Sequence, residues 1–92
     1  MNIFDDLIKL VRERKSKPVE GSYTNKLLSD KSLSKAKVLE EIDELIEAVE
    51  KDTNKIHEAA DVFYHLIIYL EVNNIKIEDV MLELKKRKNR QA

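Results

Sequence analysis

The sequence has no cysteine, one proline and one glycine, and aromatic residues make up only 5% of its 92 positions. Without cysteine there are no disulfides and no thiolate metal sites. The single proline and the single glycine, Pro18 and Gly21, lie close together; both interrupt helices, so they mark the one clear break in the chain. No apolar run approaches the roughly 20 residues a bilayer requires, which excludes a membrane-spanning segment. An excess of one charge is also missing. Lys and Arg number 17 against 18 Asp and Glu, a formal charge of −1, so no basic footprint for nucleic acid exists. The first residues, Met1 to Asp6, lack the charged and apolar layout of a signal peptide, and the expected location is the cytoplasm.

What is present is a chain of single-domain length, 42% hydrophobic and 38% charged, a composition that fits a soluble folded protein rather than a disordered one. A chain this short buries only roughly 60 to 65% of the surface its unfolded form exposes. Its own core is therefore thin.

Ile3, Phe4, Leu7, Ile8, Leu10 and Val11 recur at three- and four-residue steps, which predicts an amphipathic first helix ending near Lys15. Beyond the break, Ser22 is placed to cap a short helical segment through Leu28. Ser32 or Ser34 is expected to cap a longer helix to about Lys51, and Thr53 a further one to Val72, with Asn73 and Asn74 as stop signals. A last helix is expected from Ile77 to Arg87, its basic end (Lys85, Lys86, Arg87, Lys88, Arg90) solvated and favourable to the helix dipole. With no strand-like alternation, the expected fold is all-α: four main helices plus a short helical segment in a bundle. The thin core and the apolar third long helix point to completion of that bundle by homodimerisation.

On the second long helix Val38, Leu39, Ile42, Leu45, Ile46 and Val49 share an arc of about 120°, the expected core face. Glu41 and Glu44 lie about 60° apart beside it, with Ala48 leaving room above them. On the third, Ala59 to Leu70 contains only Asp61 and His65 as charged or readily charged residues. Glu58, Asp61 and His65 cluster within about 60°. A carboxylate in such apolar surroundings is expected to be protonated, paired or bound to a metal. Two acid pairs, each spaced by three residues, can aim their oxygens from facing helices at one point. Magnesium suits that arrangement, since it takes oxygen ligands and shares them with substrate phosphates.

Each element also has a plainer reading. Glu40, Glu41, Glu44 and Glu47 taken alone read as a solvated face, and Glu58 as a first-turn acid favoured by the dipole. Asp61 alone reads as a salt-bridge partner of Lys37 or Arg14, and His65 as a structural histidine. It is the conjunction of two acid pairs on consecutive helices that favours a metal site.

These residues resemble the signature of the all-helical MazG-like nucleotide pyrophosphohydrolases, E-E-x-x-E followed by E-x-x-D: here EEIDE from Glu40 to Glu44 and EAAD from Glu58 to Asp61. Within that superfamily the chain is similar to the phosphoribosyl-ATP pyrophosphohydrolase family of histidine biosynthesis. The likeness is carried by ERK around Arg14, GSYTNKLL from Gly21, KVLEEIDE from Lys37, EAADVFYHL from Glu58 and IEDVMLELKKR from Ile77. The sequence departs from the family at Lys31, Leu39 and Asn74, where glycines are expected, and at Ile42, where alanine is.

The resemblance implies that Glu41, Glu44, Glu58 and Asp61 hold Mg²⁺, that Glu40 and Glu44 serve catalysis, Glu40 as a supporting acid or general base, and that phosphoribosyl-ATP is cleaved to phosphoribosyl-AMP and pyrophosphate. Lys37 and Arg14 are the candidates for phosphate contacts; Ser22, Tyr23, Thr24, Tyr64 and His65 complete the candidate substrate-binding set. Two other readings stand beside it: a house-cleaning pyrophosphatase acting on free (deoxy)nucleoside triphosphates with the same metal site, and a non-catalytic helical dimerisation module in which Asp61 is dispensable.

Overall fold

The computed structural model describes residues 2–91; Met1, the first position of the stretch read for a leader, lies outside them, as does Ala92. Five helices follow one another: α1 (Ile3–Ser16), α2 (Tyr23–Leu28), α3 (Lys31–Lys51), α4 (Lys55–Val72) and α5 (Ile77–Gln91). The expected all-α architecture of four main helices and one short segment is therefore observed. None of the described helices is long and apolar enough to cross a membrane.

The helix ends show which polar residues won the competition for orphan backbone groups. Asn2 caps α1 through the Phe4 N–H, and Ser22 caps α2 through the Asn25 N–H, as its position after the glycine suggested. The cap of α3 is Asp30, which accepts the Leu33 N–H at 3.0 Å, and not Ser32 or Ser34. Helix α2 ends at Leu28 with Ser29 as its C-cap, directly before Asp30, so α3 begins too early for Ser32 or Ser34 to cap it. Ser34 is instead buried.

Likewise Asn54, not Thr53, stands before α4. It adopts a left-handed conformation (φ 42°) and makes no side-chain cap, while the Thr53 N–H returns to the Ala48 carbonyl and finishes α3. Asp52 (φ 55°) and Asn74 (φ 58°) take similar left-handed positions, Asn74 standing in for the family's glycine. Gly21 has φ +80°, and a Cβ there would meet nothing within 4 Å. The turn's conformation, not a close approach, calls for glycine. Helix α5 continues past the expected end at Arg87 to Gln91, because no residue there breaks it and Lys88 and Arg90 suit its last turn.

The core joins Ile8 and Val11 of α1, Leu27 of α2, and Ile67, Ile68 and Val72 of α4, with Leu33 and Ile77 packed on its edge. Val11, Leu27 and Ile68 are fully buried, each such aliphatic side chain contributing roughly 1.5–3 kcal/mol.

Helix α3 contributes little to this core, and here the sequence expectation is corrected. Leu39, Ile42, Ile46 and Val49 of its apolar arc are 39 to 57% exposed, and its buried residues are Ser34, Glu41 and Ala48. The reason is the register of the α3–α4 hairpin. Ser34, Lys37, Glu41, Glu44 and Ala48 on α3, and Glu58, Asp61, His65, Ile68 and Val72 on α4, each advance by alternating steps of three and four. These are the positions that two packed helices turn toward each other. The acids occupy the seam, so Leu39, Ile42, Ile46 and Val49 face outward while Val38 and Leu45 stay half-buried.

Helix α5 has no buried residue. It is tied down where it begins, by Ile77 on the core and by Arg12, whose guanidinium donates to both Glu78 oxygens at 2.8 and 2.7 Å and to Glu71 at 3.0 Å.

Candidate active site

The turn at residues 52–54 makes α3 and α4 an antiparallel pair. Residues climbing α3 therefore meet residues descending α4, and the two acid pairs spaced by three fall opposite each other. Glu41, Glu44 and Glu58 offer carboxylate oxygens that all lie within 4.8 Å of one another. Above Glu44 and Glu58, Ala48 and the turn residues Thr53 and Asn54 leave a cleft of about 230 Å³, the room its small side chain was expected to provide.

Glu41 is only 5% exposed. One of its oxygens lies 3.5 Å from the Lys37 ammonium, whereas the other, Oε2, is buried without a hydrogen-bond partner among the described residues. Glu58 Oε2 is in the same condition. Burial, and then the neighbouring Glu44, push the Glu41 carboxyl above the usual carboxylate range; burial and Glu44 do the same to Glu58, with Asp61 adding to it.

Two unpartnered buried oxygens and a third carboxylate at the same point form a donor set short of positive charge. A magnesium ion would suit this set, because it takes oxygen ligands and is held by few carboxylates together with substrate phosphates. Cations with softer ligand preference find neither sulfur nor nitrogen in this trio.

Asp61, expected from the sequence to lie in apolar surroundings, is less buried than Glu41. Its side chain is 34% exposed, and its ion-pair partner among the described residues is His57, at 3.4 Å, rather than Lys37 or Arg14. The apolar run around Asp61 faces largely away from it: Phe63 and Leu66 are exposed on the outer side of α4. Asp61 joins Glu58 and His57 in a second group of potential ligand atoms within 4.8 Å. Sequence reasoning missed His57, although its spacing of four from Asp61 on one helix was a readable signal.

The remaining candidates separate into two groups. Lys37 lies at the rim, bonded to Glu40 at 3.1 Å and beside Glu41, and Glu40 is largely exposed outside the trio. Arg14, Ser22, Tyr23, Thr24, Tyr64 and His65 gather where α2 crosses α4. Arg14 donates to Ser22 Oγ at 2.8 Å; Tyr23 bonds His65, and Thr24 bonds Tyr64. Asn25, also missed, ties the break between α1 and α2 together: its side chain accepts the Val19 N–H and donates to the Arg14 carbonyl.

A hairpin of two helices that gathers carboxylates at one point, with Lys37 beside Glu40 and Glu41, fits the class of all-α hydrolases that act on phosphoanhydride bonds. The chain belongs to the phosphoribosyl-ATP pyrophosphohydrolase family, whose model matches residues 4–88. It is similar to the phosphoribosyl-ATP pyrophosphatase of Clostridium acetobutylicum, 46% identical over 90 residues that cover 92% of this chain and 80% of that protein. The phosphoribosyl-ATP pyrophosphatase of Bacillus cereus (strain B4264) is 43% identical over 91 residues, 94% of this chain and 83% of its own length. The histidine biosynthesis bifunctional protein HisIE of Pyrococcus furiosus is 39% identical over 91 residues, 96% of this chain but 42% of that longer protein.

Proposed function

We propose that this protein hydrolyses phosphoribosyl-ATP to phosphoribosyl-AMP and pyrophosphate, the second step of histidine biosynthesis, using Mg²⁺ held by Glu41, Glu44, Glu58 and Asp61. The observation that carries the reading is the pair of buried, unpartnered oxygens on Glu41 and Glu58 beside Glu44. Burying such groups without a partner is unfavourable, and a divalent cation is the ligand that would offset it.

Bound there, the ion would neutralise the charge that develops on the leaving pyrophosphate. The chain's own residues supply the rest. Lys37 supports the phosphates from the rim, as a point charge on a flexible stem. Glu40, exposed outside the trio, takes a proton from the attacking water. The water oxygen bonds to the α-phosphorus, the bond from that phosphorus to the bridging oxygen breaks, and pyrophosphate departs with the electron pair.

A homodimer belongs to the same reading. Leu39, Ile42, Ile46 and Val49 on α3, and Ile56, Phe63 and Leu66 on α4, form an exposed apolar surface on the back of the acid hairpin. Surfaces of that kind mark association sites, and a second copy offers the same helices in return.

The test is pyrophosphate release from phosphoribosyl-ATP, ATP and dUTP, each with and without Mg²⁺, alongside Glu44→Gln. Release from phosphoribosyl-ATP that needs both Mg²⁺ and Glu44 is expected. Release from dUTP alone would transfer the chain to triphosphate house-cleaning, and no release from any substrate would end the enzyme reading.

A further inference from the structure

Two residues expected to touch substrate are occupied inside the protein. His65 is 5% exposed, and its Nδ1 lies 2.7 Å from the backbone carbonyl of Asp61. A carbonyl can only accept, so Nδ1 carries the proton. In the neutral imidazole Nε2 is then a bare acceptor, and the Tyr23 hydroxyl, 2.9 Å away, donates to it. One residue along, buried Thr24 bonds the Tyr64 hydroxyl. Adjacent residues at the start of α2 are thus fastened to adjacent residues at the middle of α4.

The rings pack around these bonds. Tyr23 and Tyr64 are near-parallel, with centroids 6.4 Å apart and planes 20° from one another, and His65 stands edge-on to both. Burial keeps the Tyr23 phenol above its ordinary range despite nearby Lys37, so it remains a donor. Yet the residue as a whole is 44% exposed. Its hydroxyl is anchored on His65 of the acid hairpin, and the residue is one of those that line an open cavity of about 790 Å³, together with Lys15, Val19, Lys26, Leu28 and Ser29.

We infer that Tyr23 is the stacking platform for the adenine of the substrate, and that His65 is a positioning residue which fixes that ring relative to the Glu41, Glu44 and Glu58 carboxylates. This deepens the hydrolase reading above and rests on it. A ring pinned at its hydroxyl presents one face at a set distance from the site where phosphorus is attacked. A loose ring would bind adenine without aligning the phosphoanhydride. The cavity on the Tyr23 side takes the portion that remains with the nucleoside monophosphate product, and the acid cleft takes the departing pyrophosphate.

The experiment compares steady-state kinetics on phosphoribosyl-ATP for the wild type, Tyr23→Ala, Tyr23→Phe, His65→Leu, His65→Gln and the Tyr23→Phe/His65→Leu double variant. AMP is titrated into each in parallel, with the tyrosine ring resonances followed by NMR, and Mn²⁺ affinity is measured as a control. Tyr23→Ala should raise KM by about 5- to 150-fold, the span of one lost base–aromatic stack. His65→Leu and Tyr23→Phe should raise it by less. Their double variant should match either single one, because both remove the same hydrogen bond. His65→Gln, which keeps an acceptor, should recover part of the loss, and Mn²⁺ affinity should not change.

A Tyr23→Ala KM within about twofold of wild type, with AMP leaving the Tyr23 ring unshifted, would overturn the platform. Additive effects of Tyr23→Phe and His65→Leu would overturn the positioning role. If the wild type turns over no substrate, the hydrolase reading fails by itself and the AMP titration still decides: Tyr23 must shift in the wild type and shift less in His65→Leu.

Discussion

Glu41 and Glu58, on facing helices of the α3–α4 hairpin, each bury a carboxylate oxygen that has no hydrogen-bond partner among the described residues, and both carboxyls are pushed above the ordinary range by burial and by the neighbouring Glu44. The pH consequence follows from the sign of those shifts. A carboxyl whose folded pKa exceeds its unfolded value of 4.5 favours the fold when protonated. That contribution is complete below the unfolded pKa and disappears as pH rises through the folded one. The metal-free protein should therefore lose stability from this cluster toward neutral pH. Mg²⁺ must displace the same protons, so it should raise Tm clearly at about pH 8 and much less at about pH 5. Thermal melts with Mg²⁺ or EDTA at the two pH values check this, and equal shifts at both would show that the carboxyls are not the ligands.

Neutralising one member of the trio should separate stability from activity. Glu41→Gln removes a like charge from the cluster and keeps the side chain's shape, so the metal-free protein should melt higher than wild type. The same change should lower kcat/KM by about 10²–10³-fold, the usual loss when one group stabilising transferring charge is removed. Calorimetry without metal and kinetics with it provide both readings. A variant that is destabilised and fully active would contradict the account.

The helices were legible in the sequence because their apolar period is strong, and the single break at Pro18 and Gly21 left one place for the chain to turn. The acid signature was legible because spacing of three survives in any helix register. Which acid would be deepest was not. Both acids lie on the seam, but Asp61, despite its more apolar neighbours along the chain, keeps its side chain 34% exposed, whereas Glu41 is buried. The arc of Leu39, Ile42, Ile46 and Val49 read as core because amphipathicity reports that a face is covered and not by what. Helix starts at Asp30 and Asn54 escaped for a similar reason: neighbouring residues were equally able to cap, and helix packing chose among them.

That outward arc makes the oligomeric state a test in its own right. Ile46 is 52% exposed and Phe63 also 52%. Ile46→Asp or Phe63→Glu places a charge where an apolar partner surface is expected, and neither residue belongs to the buried core. Ile46→Asp is the cleaner variant, because Phe63 also packs edge-on against Phe4. Light scattering should show a dimer for wild type and a monomer for either variant, with a lower Tm for the variants because folding and association are linked. A wild-type monomer at all concentrations would remove dimerisation from the functional reading.

Helix α5 should be the first part of the fold to open, and Arg12 should control it. With no buried residue of its own, α5 depends on Ile77 and on the paired hydrogen bonds from Arg12 to Glu78. That guanidinium depresses the Glu78 carboxyl from 4.5 to about 2. The favourable contribution of the pair is therefore present above the unfolded pKa of 4.5 and is lost as pH falls toward the folded value of about 2. Because Glu78 is exposed, salt should weaken the contact as well. Hydrogen exchange should show the α5 amides opening before those of α3 and α4, and opening sooner in Arg12→Ala, in Glu78→Gln, at low pH and at high salt. The core amides around Val11, Leu27 and Ile68 should be less affected, since α5 meets that core only at its edge, through Ile77. Exchange from α5 that is as slow in Arg12→Ala as in wild type would mean that Ile77 alone holds the helix.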